Sequence, residues 1–342
     1  MMAPYQISVE GSGIAFPCGA DETVLDAAER AGYAIPYSCR KGVCSTCEAD
    51  LVQGIARIGS DPENGPKAAV RLCRAIPKSD LTIAPVRIEK RQIFPRKRIV
   101  ASVLKLHRST QDVAVIQLRF PAGIRVKFRA GQYLRVILNG GYSRNFSMAN
   151  APHESDGAQL HIRHVPGGRF SELIWASLKI GDKLEVEAPF GEFFLRDDCD
   201  RPIVFLATGT GFAPIKAMIE DMIKRSIVRQ ARFYWGIRRR DDLYMPEILE
   251  KWRSKAPWLT CQPVLSQPDE DWTGRRGFVQ EAVLQDFQNV QDLRDLSGWQ
   301  VYACGNPSMV SAARAMLTTR AGLPAMHFHA DPFVPSGGMA TS

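Results

Sequence analysis

Three thiols within nine residues constrain this chain more than anything else in it. Cys39-Arg-Lys-Gly-Val-Cys44-Ser-Thr-Cys47 reads C-x4-C-x2-C, and a fourth thiol, Cys73, stands downstream beyond Glu48-Ala-Asp-Leu-Val-Gln-Gly54. That spacing lets one tight loop supply three thiolates and a separate strand the last, the ligand pattern of a plant-type [2Fe-2S] cluster. Gly42 suits a backbone that must come close to inorganic sulfide and donate N–H groups to it. A structural zinc site pairs its cysteines as two C-x2-C arms, whereas here one arm is a triplet and the other a single residue. Disulfides need an oxidising compartment, and Met1-Met-Ala-Pro-Tyr-Gln-Ile-Ser-Val9 shows neither a basic n-region nor an apolar h-region. Cys18, Cys199, Cys261 and Cys304 are scattered like reduced thiols, so a cytoplasmic location is expected.

A chain of 342 residues fits two or three domains with real cores. It contains no run of about 18 apolar residues, so no membrane span is expected. The formal charge of +8 could suggest nucleic acid, but the distribution argues otherwise. Residues 1–90 carry 10 basic and 11 acidic groups, residues 91–198 carry 17 and 10, and the remainder 17 and 15. With the excess in the middle and neither a basic helix nor aromatic-basic interleaving, no nucleic-acid partner is expected.

Residues 5–9 and 13–17 alternate apolar and polar about Glu10-Gly-Ser-Gly13, which predicts a hairpin. Thr23 and Asp26 form a capping-box pattern ahead of Leu25, Ala28 and Ala31 at helical spacing, with Gly32 as the stop. Strands at about 48–53, 70–76 and 81–85 complete a small α+β domain over residues 1–88. Residues 89–98 close a stretch with two prolines and a basic run without periodicity, read as a linker and hinge. Residues 99–198 hold short alternating segments, among them Val113–Phe120, Gly131–Leu138, Leu160–Val165 and Lys183–Glu187. These predict an antiparallel β-barrel, interrupted by one helix at about 169–179.

Residues 199–342 change texture again. Ile203-Val-Phe-Leu-Ala207 is the continuous apolar run of a parallel strand buried on both faces. It leads through Gly209-Thr-Gly211 into a helix with Pro214 near its first turn and Ile215, Met218, Ile219 and Met222 on one side. Strands at about 232–236, 260–265 and 299–304 alternate with helices near 246–255, 278–288 and 307–321, the pattern of a doubly wound parallel sheet. A mobile tail is expected after Pro335.

Arg144-Asn145-Phe146-Ser147, just past a barrel strand, offers a cation for a phosphate, an aromatic face and a small hydroxyl, the three groups a flavin site needs. At Val165-Pro-Gly167-Gly168-Arg-Phe170-Ser171 two glycines precede the predicted helix, with Ser171 as its cap, so the helix N-terminus is a pyrophosphate site. Thr208-Gly209-Thr210-Gly211 with Pro214, between buried strand and helix, lets the backbone approach a second pyrophosphate. Cys304-Gly305 ends the last strong strand, where switch-point ligands bind. Arg238 and Arg239, with Arg240, could take a 2'-phosphate, while Asp241 or Asp242 would favour a free ribose hydroxyl; the balance leans to NADPH over NADH. His161 and His164 are read on opposite faces of a strand, and His327 and His329 on one face, so no metal site is expected from histidine.

These motifs resemble the ferredoxin-NADP reductase superfamily. Its R-x-[YF]-S and G-x-x-S motifs hold FAD, at Arg144 to Ser147 and Gly168 to Ser171 here, and its G-T-G-x-A-P motif opens the pyridine-nucleotide domain, at Gly209 to Pro214. Phe146 stands where many members have Tyr, so ring stacking is kept without the hydroxyl, and Tyr142 is a candidate substitute. The first 85 residues are similar to the β-grasp of plant-type ferredoxins. The module order resembles the reductase components of two-component aromatic-ring-hydroxylating dioxygenases. Asn150 to Gly157 and His161-Ile-Arg163-His-Val165 to Ser171 look most like the terephthalate dioxygenase reductases among them. The resemblance implies that His161, Arg163 and Val165 also line the flavin, that Cys304 lies beside nicotinamide, and that Phe333 is the terminal aromatic shielding the flavin, although the chain continues beyond it. It further implies electron transfer from NAD(P)H through FAD and the cluster to a separate Rieske-type oxygenase component. Alternative clients are a di-iron monooxygenase or a deoxysugar dehydratase, with the acceptor surface near Arg40 and Lys41. The reading from another class is a non-catalytic iron-sulfur redox sensor or carrier.

Overall fold

The computed structural model describes residues 3–42, 44–58, 63–91, 94–138, 140, 142–289 and 295–334; the tail expected to be mobile lies outside the described residues. Two compact units emerge, one built from the chain up to Phe94 with Gly191–Phe193, the other from Pro95–Phe190 and Phe194–Phe333. Among the described residues no helix is long and apolar enough to cross a membrane.

The first unit is a small α+β domain. Its five-stranded sheet runs Ala15–Cys18, Tyr5–Val9, Leu81–Pro85, Glu48–Gln53, Ala69–Arg71, parallel only between Tyr5–Val9 and Leu81–Pro85. Helix α1, Val24–Arg30, begins where Thr23 Oγ1 accepts the Asp26 N–H at 3.2 Å. It stops where Gly32 takes φ +81°, the left-handed region only glycine enters without strain. The stretch read as linker is corrected at its start. Glu89–Lys90 pairs with Tyr33–Ala34, and the Arg91 N–H reaches the Gly32 carbonyl at 3.0 Å, so residues 89–91 are bound to the first unit. An isolated pair of such short strands lacks the alternation by which sequence would show it.

The second unit holds two sheets. The antiparallel one runs Ser143–Ser147, Tyr133–Ile137, Lys183–Phe190, Lys97–Arg108, Val113–Arg119, Gly157–Arg163, and a bridge between Met148 and Leu160 brings its edges together as a near-closed barrel. Helix α2, Arg169–Ala176, follows the last of these strands.

The other sheet is wholly parallel, in the order Arg275–Arg276, Leu259–Leu265, Ala231–Ile237, Ile203–Thr208, Gln300–Gly305, Phe328–Pro332. Its helices are α3 (Phe212–Lys224), α4 (Pro246–Lys255), α5 (Val279–Asn289) and α6 (Pro307–Arg320). Ile203 to Ala207 are fully buried, and Ile215, Met218, Ile219 and Met222 of α3 reach the same state. Burial of each such side chain stabilises by about 1.5–3 kcal/mol. The chain moves outward from Ile203–Thr208 on one side, then returns to place Gln300–Gly305 on the other. The switch point therefore lies between Thr208 and Gly305, where ligands of such sheets bind. Phe328–Pro332 is a strand that the sequence reading lacks, because a five-residue segment with an aspartate and a proline shows no clear period.

Candidate functional site

The cysteine loop has a left-handed backbone at Arg40, Gly42 and Ser45, with φ of 52°, 76° and 53°. Such turns aim successive N–H groups inward; that of Lys41 reaches the Cys39 sulfur at 3.3 Å. The four thiols stand as two pairs. Cys44 is pushed up by its hydrogen bond with Cys39 and by burial, Cys47 by its bond with Cys73, and Cys73 is brought down as the partner in that bond. Among the described residues no three His, Cys, Asp or Glu side chains could share one metal ion. Two pairs of soft thiolate donors suit a two-iron cluster, which takes two thiolates per iron.

On the barrel, Arg144 to Ser147 follow the strand Tyr133–Ile137, as expected, and themselves form the next strand: Val136 is paired with Arg144 and Tyr133 with Ser147. Arg144 and Phe146 therefore share one face, and Asn145 and Ser147 the other. The Phe146 ring packs 4.7 Å from Phe170 of α2. The cap of α2 is Gly168, not Ser171. Ser171 Oγ lies 2.8 Å from the Val165 carbonyl and 3.0 Å from that of Gly168, and accepts the Val165 N–H at 3.1 Å, so it closes the loop from inside the first turn. A Cβ on Gly168 would stand 2.9 Å from the Val165 carbonyl. Gly167 has φ +73°, and its N–H is taken by Glu172 at 3.1 Å. Residues 169–171 keep first-turn N–H groups without intrahelical acceptors, as at any helix start. With the half-buried Arg144 on the facing strand, this donor set fits the phosphates of a flavin nucleotide. Arg169, the first residue of α2, lies 5.2 Å over the Tyr142 ring.

His161 stands apart from these. Its Nδ1 is 2.8 Å from Tyr244 Oη, its Nε2 is 3.2 Å from Gln159 Oε1, and it packs near Phe212. A neutral ring with hydrogen on Nε2 satisfies both contacts, and no ring nitrogen remains for a flavin phosphate. Burial first, then the Lys216 charge, hold His161 well below the usual 6.5. A depressed folded-state pKa stabilises above the unfolded value and loses that contribution as pH falls below it. Thermal stability of the wild type should therefore drop between pH 7 and 5, and His161→Gln should flatten that limb by up to about 1.4 kcal/mol per pH unit. Equal slopes in both proteins would exclude the assignment.

The other histidines differ from the sequence reading. His164 follows the strand and stacks on Trp175, and His327 lies in a turn before the strand that holds His329.

At the switch point, Gly209 has φ +51° and Trp235 Nε1 donates to its carbonyl at 3.0 Å. A Cβ on Gly211 would fall 2.3 Å from the Cys304 carbonyl, and one on Gly305 2.3 Å from Thr208 Oγ1. Thr208 Oγ1 accepts the Asn306 N–H at 2.8 Å, while Thr210 and Pro214 are buried beneath the loop. The two strand ends are therefore pressed together at the switch point, where ligands of such sheets bind. Arg163, whose guanidinium is bound to Asp112 at 2.8 Å, reaches to 3.6 Å from a Cβ position on Gly209. Arg238 and Arg239 are exposed just after the strand Ala231–Ile237. The Asp242 carboxylate accepts the Arg239 N–H at 2.9 Å, and Arg240 pairs with Asp271 at 3.2 Å.

The unforeseen strand supplies the residue that the sequence reading missed. Register places Asp331 beside Cys304, and Ser147 Oγ donates to Asp331 Oδ2 at 3.4 Å. All three are buried, and Cys304 is raised well above the usual thiol range, by burial and then by Asp331. Phe333 follows at once, its N–H bound to the Gly305 carbonyl at 2.7 Å. An aspartate inside the short apolar run Phe328-His-Ala-Asp-Pro was the available signal.

Three family models match in series: the 2Fe-2S iron-sulfur cluster binding domain over residues 7–78, the oxidoreductase FAD-binding domain over 101–195 and the oxidoreductase NAD-binding domain over 205–315. The chain is 41% identical over 340 residues to terephthalate 1,2-dioxygenase reductase component 1 of Comamonas sp, covering 97% of this chain and 98% of that protein. The chain belongs to the ferredoxin-NADP reductase superfamily, in the branch of dioxygenase reductase components with an N-terminal [2Fe-2S] domain. The reductase is also 37% identical over 334 residues to the CDP-6-deoxy-L-threo-D-glycero-4-hexulose-3-dehydrase reductase of Yersinia pestis, covering 96% and 98% of the two chains. Among solved structures it resembles an Amycolatopsis cytochrome P450 reductase, with TM-score 0.79 and 28% identity over 97% of this chain and 100% of that one. It is an oxidoreductase that takes electrons from NAD(P)H through FAD and a [2Fe-2S] cluster.

Proposed function

We propose that this reductase serves the Rieske-type oxygenase component of an aromatic-ring dioxygenase of the terephthalate class, in the cytoplasm. The observation that carries the reading is the 41% identity, end to end in both chains, with the reductase of terephthalate 1,2-dioxygenase. When bound, FAD accepts two electrons together as hydride and releases them one at a time, which a one-electron cluster requires.

The chain's own groups then have separable tasks. Arg144 and the first turn of α2 neutralise the flavin phosphates, and Phe146 packs the site. Gly211 and Gly305, where a side chain would collide with the facing strand end, would leave room for the nicotinamide nucleotide, which Cys304 would help to position, and Phe333 would shield the flavin. Ser147, donating to Asp331 at the buried end of the site, would hold a proton there for the chemistry that a bound flavin supplies. Cys39, Cys44, Cys47 and Cys73 ligate the cluster. Arg238 and Arg239 favour NADPH, because the neighbouring Asp242 carboxylate is already used by a backbone N–H.

The 37% identity to a deoxysugar dehydrase reductase supports a second client class. Reconstitution separates them. With a terephthalate-class oxygenase, NADPH and oxygen, a cis-diol product should form at a rate that saturates with reductase. Turnover only with a deoxysugar dehydrase would replace the first reading with the second.

A further inference from the structure

Arg71 and Arg74 flank the last cysteine ligand and are both exposed. Arg71 Nη1 donates to the Gly42 carbonyl at 2.7 Å, which ties this cation to the cysteine loop. The stem of Arg74 lies over the same glycine, so close that a Cβ there would stand 2.8 Å from its Cγ. Lys41 is exposed two residues from Cys39. Glu48, 3.9 Å from Arg71, and the exposed Asp50 are carboxylates of the adjoining strand. The Arg71 and Glu48 side chains are 44% and 43% exposed, a surface pair worth about 0–1 kcal/mol that leaves the arginine available to a partner. Arg40, expected to mark the acceptor surface, is turned inward: it pairs with Asp26 and Glu29 at 2.5 Å and lies 4.3 Å over Tyr37.

We propose that Arg71 and Arg74, with Lys41, form the docking rim for an electron acceptor whose contact face is acidic. This rests on the proposed function, in which electrons leave the chain at the cysteine loop. Clustered charges of one sign raise encounter rates with a complementary partner and lower them with a like-charged one, and salt weakens both effects. Each transfer moves one electron and no proton: one NADPH is oxidised to NADP+ for every two acceptor irons that pass from ferric to ferrous.

The test uses two haem proteins of opposite charge, acidic cytochrome b5 and basic cytochrome c, with the full-length holoenzyme. Binding to immobilised cytochrome b5 and NADPH-dependent reduction of each cytochrome are measured as ionic strength rises from about 0.02 to 0.3 M, a range that shortens the screening length severalfold. The wild type should bind cytochrome b5 and lose affinity with salt. Arg71→Glu with Arg74→Glu should weaken that binding and slow cytochrome b5 reduction by roughly tenfold, yet speed cytochrome c reduction. Arg71→Lys with Arg74→Lys should stay near wild type. Because a damaged cluster or shifted potential would move both cytochromes the same way, parallel losses overturn the proposal, as does salt-independent binding. If the wild type reduces neither cytochrome while NADPH still bleaches its flavin, the underlying reading fails and takes this one with it.

Discussion

Cys73→Ser should lower NADPH-dependent cytochrome c reduction at least a hundredfold while leaving ferricyanide reduction by the flavin near the wild-type rate. Cys73 is buried and hydrogen-bonded with Cys47, and in the proposed ligand set it is the thiolate that the loop by itself cannot supply. A serine oxygen is a harder and far less acidic donor than a thiolate, and iron-sulfur clusters select soft sulfur. The site is remote in sequence from the flavin and nucleotide motifs, which explains why one activity should fall and the other persist. Iron content and the visible spectrum of the purified variant would show whether the cluster itself is lost. Survival of both activities would sink the proposed route of electrons through the cysteine loop.

Asp331→Asn and Ser147→Ala should each slow anaerobic flavin reduction by NADPH, by about ten- to a hundredfold, with flavin content unchanged. The two side chains are 3.4 Å apart and buried, and general acid-base groups so placed contribute on this scale. Since they act as a unit, the double variant should be little slower than the slower single one. Stopped-flow bleaching of the flavin reads the rate, and its dependence on NADPH concentration separates binding from the chemical step. Rates within twofold of wild type in both single variants would remove the pair from the mechanism.

The adjustments to the flavin motif have a common cause. The sequence sets Arg144 to Ser147 just past a barrel strand and does not show them as a strand themselves, because a polar tetrapeptide with an asparagine has little strand character; pairing with Tyr133–Ile137 makes them one. Ser171 has the composition of a cap, but a cap is defined by backbone angle, and the extended residue is Gly168.

What the sequence by itself determined is the inventory of cofactors and the order of the modules. Cysteine spacing, a glycine turn after a buried strand and hydrophobic periodicity are local, because each reports geometry within a few bonded residues. What only the tertiary structure decided is which distant groups meet. Asp331 lies 184 residues from Ser147 and reaches it through a strand too short to show a period. Arg40 and Arg71 are both cations of the cysteine region, and only the fold turns one inward to carboxylates and leaves the other at the surface. Such meetings depend on sheet register and helix packing, which join residues the chain keeps far apart.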